Sequence, residues 1–320
     1  MSKKRTASII AWSLVTAAIC AAVALNVDWA AFIEASGRIS LPSVLLAFSC
    51  LFAGKSVYTA KWRALCPAFD YWTLFVVVLG SSPLFLLPAG GLFSDAYRVA
   101  ALHRKGKGYA AAASILLDRL TMPLSIICVW LPLMALAGDA KYSALAYLLL
   151  AALATTLILC VFAFLNKRVR ARILALSSRH TGNALGKKID GWLEKVSAAV
   201  DSLNIGPMRV LLSVTWGILG DLLTAGVYFA FGSMLGIKLS FLKWIFVYAL
   251  PLIATTAIPT VGGIGVRDGT IIALLAAYGV SSGVALTVSL FFTGAVTICA
   301  LLCWALHLLL RNKVSRVYTP

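Results

Sequence analysis

Charge is scarce in this sequence. Only 12% of its 320 residues are Asp, Glu, Lys or Arg, against 61% that are hydrophobic, and the mean hydropathy is +0.95. A soluble domain cannot cover that much apolar surface, so a conventional water-soluble core is excluded and a polytopic membrane protein is implied. Acid is scarcer still: 11 Asp and Glu stand against 28 Lys and Arg, a formal charge of +17. In a membrane protein such an excess marks cytoplasmic loops, so no nucleic-acid partner is inferred from it. The seven cysteines, at 20, 50, 66, 128, 160, 299 and 303, fall mostly inside apolar runs and read as small packing residues, not a disulfide framework. No GxSxG, HExxH, P-loop or Rossmann glycine pattern occurs, so no catalytic residue, cofactor or nucleotide-driven step is expected. Cys299, Cys303 and His307 share one helical face at i, i+4 and i+8, but three such groups in an apolar span read as packing, and no metal is expected.

What is present is a series of apolar segments at 8–27, 42–60, 70–87, 109–137, 142–166, 207–235, 244–259, 264–280 and 283–310. The first follows Lys3-Lys4-Arg5 and reads as a retained span, with a signal peptide cut after Ala22-Val23-Ala24 as the alternative. Placing those bases in the cytoplasm puts Lys61 and Arg63 in an inside loop after the second span. Arg98, Arg104, Lys105 and Lys107 also belong inside, which requires 70–103 to enter and return on one face. Its second limb, Leu92 to Leu102, is too short to span. The expected architecture is therefore an all-α polytopic protein with about six full spans and two re-entrant helical hairpins, 70–103 and 244–280. The alternative, with 244–259 and 264–280 as two complete spans, gives eight.

The chain then divides into a half 1–166, a cytoplasmic linker 167–206 and a half 207–320, all one transmembrane domain with both termini inside. Span, hairpin, span in the first half is mirrored in the second, the pattern of an inverted repeat. Within the linker, Ile189, Trp192, Leu193, Val196, Val200 and Leu203 share a face, predicting an amphipathic helix on the inner leaflet.

Two turns concentrate the unusual residues. Leu87-Pro88-Ala89-Gly90-Gly91 precedes Asp95 and Arg98, and Ile258-Pro259-Thr260-Val261-Gly262-Gly263-Ile264-Gly265 precedes Arg267 and Asp268. Proline breaks each helix, and Gly90, Gly91, Gly262, Gly263 and Gly265 allow close backbone approach and hinge motion. Ionisable residues at membrane depth are costly and usually functional, which singles out Asp95, Arg98, Asp118, Arg119, Asp221, Arg267 and Asp268. Arginine offers a two-pronged donor, and helix starts after Gly91 and Gly265 offer free N–H groups, a combination suited to a phosphate or carboxylate headgroup. The competing reading is that Asp95–Arg98 and Asp118–Arg119 neutralise each other and staple the hairpin to span 109–137.

These motifs, with Ala111-Ala112-Ala113-Ser114-Ile115-Leu116-Leu117-Asp118-Arg119 and Ala277-Tyr278-Gly279-Val280, resemble the lysylphosphatidylglycerol synthase transmembrane region family, also described as flippase-like. The resemblance covers nearly the whole chain. It implies an inner-membrane protein of bacteria or archaea that moves aminoacylated phosphatidylglycerol between leaflets, or handles hopanoid or polyprenyl-linked lipids. Asp95 and Asp268 stand where many relatives would carry Glu. The sequence ends at Pro320, so lysylation of the lipid by this chain is not expected.

The leading expectation is a lipid translocator in which two opposed hairpins build a polar midplane cavity. Arg98 and Arg267 hold the headgroup phosphate there, and Asp95 and Asp268 orient them. Two other classes stay open: an intramembrane lipid-modifying enzyme using Asp95 or Asp118 as base, and a partner subunit of a separately encoded synthase or transferase acting through the linker. Composition leaves a homo-oligomer open as well.

Overall fold

Apolar runs punctuated by proline, glycine and capping side chains fix where the helices begin and end. In the computed structural model, residues 25, 27–38, 40–87, 90–103, 108–136, 144–180, 184–257 and 264–317 are described. They form helices α1 (Trp29–Ser36), α2 (Leu41–Leu65), α3 (Tyr71–Ser81), a 3₁₀ segment (Ser82–Leu86), α4 (Gly90–His103), α5 (Gly108–Leu136) and α6 (Ala144–Leu165). Then come α7 (Lys167–His180), α8 (Ala184–Leu203), α9 (Pro207–Met234), α10 (Phe241–Ala257), α11 (Val266–Ala276) and α12 (Ser282–Val317). The chain is an all-helical, multi-pass membrane protein. Among the described residues, four helical stretches are long and apolar enough to cross a bilayer: Leu41–Leu65, Gly108–Val129, Pro207–Met234 and Ser282–Leu310. The expected first span lies almost wholly outside the described residues, as do Pro88, Ala89, Arg104, Lys105, Lys107 and the turn 258–263 with Gly262 and Gly263.

Local chemistry accounts for the boundaries. Asp70 caps α3 by accepting from the Thr73 backbone N–H at 2.9 Å and its hydroxyl at 2.7 Å. Pro83 ends α3 by converting its continuation to a 3₁₀ segment. Gly90 then reopens the helix where only glycine fits, since a Cβ there would sit 2.3 Å from the Phe85 carbonyl oxygen. Asn166 caps α7 through its Oδ1, and Pro207 occupies the first position of α9.

The helices gather into two compact units, interleaved along the sequence. One takes in the described residues of Met1–Lys55, Leu79–Ser94 and Leu222–Pro320. Its core is aromatic and branched, with Tyr228, Phe231, Trp244, Ile271, Leu275, Val288 and Phe292 buried together. Here α10 packs on α11 and α11 on α12, while the 3₁₀ segment and α1 also pack against α12. The other unit comprises Ser56–Val78 and Asp95–Asp221. Small residues on α5, Ala110, Ala111 and Ala113, let neighbours approach, and Trp62, Leu74, Val78 and Leu102 fill the space.

The linker helix α8 differs from its expected setting. Val196, Val200 and Leu203 are buried in this second core, where α8 packs on α5, so over those residues the apolar face is covered by protein and not by the leaflet. Arg170 of α7, a base of the linker read as cytoplasmic, is also buried. It donates to the Ser197 hydroxyl at 3.0 Å, the Phe164 carbonyl at 2.5 Å and the Asp201 carboxylate.

Candidate functional site

In the second unit, four of the expected residues join one chain of contacts across α2, α4 and α5. Asp95 and Arg98 lie one turn apart on α4, and Arg98 Nη1 is 3.3 Å from Asp95 Oδ1. The other carboxylate oxygen of Asp95 accepts from Arg119 of α5, from Nε at 3.0 Å and also from Nη2. Asp118 does not pair with its neighbour Arg119. Its Oδ1 lies 2.8 Å from Lys61 Nζ of α2, with both side chains buried. Tyr58, one turn before Lys61, closes the chain: its hydroxyl donates to Asp118 Oδ2 at 3.0 Å and accepts from Arg98 Nη1 at 2.6 Å.

Aromatic rings complete the setting of Arg98. Its guanidinium carbon is 4.8 Å from the Tyr58 ring centre and 5.7 Å from that of Trp62, within cation–π range. Trp62 is itself fixed by donating from Nε1 to the Ser114 hydroxyl at 3.0 Å. Arg98 is thus 7% exposed and held on several sides, while the Arg119 side chain is 42% exposed. Asp221 of α9 accepts from the Ser125 hydroxyl at 2.8 Å.

Tyr58, Lys61 and Trp62 are the residues that sequence reasoning missed. Lys61 was assigned to a cytoplasmic loop because a base at the end of an apolar run ordinarily marks topology. Instead α2 continues through it to Leu65, and an acid from another helix neutralises it. The legible signal was Tyr58, Lys61 and Trp62 at i, i+3 and i+4, with Leu65 and Cys66 extending the apolar run beyond the lysine.

The start of α11 builds a tighter cluster in the first unit. Gly265 sits at φ +85°, a conformation that favours glycine, and starts α11. Asp268, three residues on, caps that start by accepting from the Gly265 N–H at 2.8 Å. Its Oδ1 accepts from the buried Ser289 hydroxyl of α12. Arg267 Nη2 lies 3.5 Å from the same carboxylate and donates to the Thr293 hydroxyl. The guanidinium carbon is 5.5 Å from the Phe292 ring centre, and Phe292 stacks on Tyr228 with centres 4.2 Å apart. Neither Ser289, Phe292 nor Thr293 had been singled out. Their spacing from one another on α12 was readable, but nothing in the sequence tied them to residue 267.

Of the expected glycines, Gly90 and Gly265 have the special backbone roles above, Gly91 is a half-buried residue in the first turn of α4, and Gly262 and Gly263 lie outside the described residues. Cys299, Cys303 and His307 are all buried on α12. Among the described residues no group of three or more His, Cys, Asp and Glu is arranged to hold a metal ion.

No curated protein and no solved structure matches the chain. The family model described as lysylphosphatidylglycerol synthase TM region matches residues 9–306, nearly the full length, and the chain belongs to that family.

Proposed function

We propose that the protein is a translocator that moves an anionic lipid between the leaflets of a bacterial inner membrane, using the arginines of its charged network to receive the headgroup. The observation that carries this reading is the Lys61–Asp118–Tyr58–Arg98–Asp95–Arg119 chain. Five ionisable groups and a tyrosine hydroxyl are joined on apolar helices, where each charge is costly unless it is paired and put to use. The family supports a role in lipid metabolism or transport.

Helix lengths support the re-entrant architecture. At 1.5 Å per residue, the 14 residues of α4 extend about 21 Å and the 11 residues of α11 about 17 Å, against a hydrocarbon core of roughly 30 Å. Each comes after a shorter apolar helical stretch and precedes a long helix, α5 or α12, so long helix, short pair, long helix recurs in both halves. That recurrence supports an inverted repeat. The basic ends, Lys3-Lys4-Arg5 and Arg311, Lys313 and Arg316, favour cytoplasmic termini. Short helices that carry paired donors and acceptors suit a headgroup that must leave water while its tails stay in the bilayer.

The test is translocation in phosphatidylcholine vesicles that carry the purified full-length protein and a trace of headgroup-labelled phosphatidylglycerol. A membrane-impermeant quencher reports the outer-leaflet fraction. The expected result is exchange between leaflets faster than in protein-free vesicles, with the lipid recovered chemically unchanged. A chemically altered lipid would move the protein to the enzyme class. Exchange no faster than in empty vesicles would leave the partner-subunit reading in its place.

A further inference from the structure

The bonded chain of charges ends at an arginine of a different character from the rest. Lys61, Asp118 and Arg98 are buried, and the Asp95 side chain is 14% exposed, whereas that of Arg119 is 42% exposed. Arg119 presents Nε and Nη2, one edge of its guanidinium, to a single oxygen of Asp95. That edge is the one with which arginine grips a phosphate. The other Asp95 oxygen faces Arg98, which the Tyr58 hydroxyl and the two aromatic rings hold independently. Asp95 therefore bridges two guanidinium groups, one fixed and one reachable from outside.

Along this chain three cations, Lys61, Arg98 and Arg119, face two carboxylates, Asp95 and Asp118. Among these five groups one positive charge is in excess. Asp221 accepts from Ser125. A single monoanion added at Arg119 would bring these five groups to neutrality, and a phosphodiester is such an anion at pH 7.

We propose that Asp95 is an internal stand-in for the lipid phosphate, and that a phosphodiester displaces it from Arg119 while Arg98 retains it. The inference rests on the translocator reading and deepens it. Arg119 is the residue that touches cargo, Asp95 is the competitor that empties the site again, and Arg98 is a positioning residue. No covalent step is involved.

Removing the competitor separates this from a structural staple. The full-length protein in detergent is titrated with dihexanoyl-phosphatidylglycerol, and in parallel with inorganic phosphate, and binding is read by native mass spectrometry. Asp95→Asn keeps the shape and an acceptor oxygen but lowers the competition, so phosphatidylglycerol should bind about threefold to tenfold more tightly than to wild type. Arg119→Lys keeps the charge and removes the two-donor edge, so affinity should fall about tenfold. Because Arg119 is half exposed, its unfolding temperature should stay within about 2 °C of wild type, as for other exposed ion pairs. A folded Asp95→Asn that binds no tighter than wild type overturns the proposal. So does an Arg119→Lys protein with unchanged affinity, which decides the matter even where Asp95→Asn does not fold. Tighter binding of inorganic phosphate than of phosphatidylglycerol assigns the site to free phosphate and overturns the lipid source. Binding that follows these expectations without leaflet exchange defeats only the transport function. Leaflet exchange by wild type, with both variants binding as wild type does, defeats only this inference.

Discussion

Asp95 and Asp268 each neighbour an arginine on a short helix that follows a glycine-rich turn, yet they are engaged in different ways. Asp95 binds outward, joining α4 to α5 through Arg119 and sharing Arg98 with α2. Asp268 binds inward, to the backbone at the start of its own helix, with one hydroxyl from α12 beside it. Arg98 stands in a charged network, whereas Arg267 is set among a hydroxyl and an aromatic ring with one carboxylate at the edge of hydrogen-bond range. The same short pattern of glycine, acid and base thus produces a charge relay in one unit and a helix cap in the other. What separates them is spacing: an acid at the third position of a helix reaches back to free N–H groups, and one at the sixth cannot.

The contrast is sharpest in stability. Lys61→Met leaves Asp118 buried opposite an apolar chain, and a loss of about 3–5 kcal/mol is expected in detergent unfolding, with most of it recovered in a Lys61→Met/Asp118→Leu double variant. A single-variant loss below about 1 kcal/mol would remove the distinction between network and cap. Next come the two asparagine substitutions. Asp95→Asn should cost about 2 kcal/mol, because two guanidinium partners lose a charged acceptor. Asp268→Asn should cost about 1 kcal/mol or less, since an amide oxygen can still cap Gly265. Equal losses in the same unfolding assay would break the comparison. Phe292→Leu removes the ring under Arg267 and its stack on Tyr228, with a loss of about 1–2 kcal/mol expected and no change in phosphatidylglycerol binding. The smallest effect belongs to the exposed Glu34–Arg38 pair, where Arg38→Ala should change stability by no more than about 0.5 kcal/mol.

The membrane class, the helical content and the glycine starts of α4 and α11 were legible because glycine and long apolar runs act locally and leave their mark in the chain itself. The pairing of charges was not. Asp118 and Arg119 stand side by side, and adjacency made them look like partners. Consecutive residues on a helix point about 100° apart, so Asp118 meets Lys61 on one side and Arg119 meets Asp95 on another. The partner of Asp118 sits on a helix that the sequence alone does not bring near. Likewise, the apolar face of α8 was correctly read as a stripe, but periodicity says only that a face is covered and not by what.

The position of Lys61 bears on how the protein is made. Helices enter a bilayer in the order of synthesis, and α2 precedes α5. For that interval Lys61 is a charge near the end of a membrane helix with no Asp118 opposite it. The apolar remainder of α2 can carry that charge, and Asp118 meets it on arrival. The ion pair therefore neutralises, in the assembled protein, a charge that α2 carries without this partner until α5 has been made.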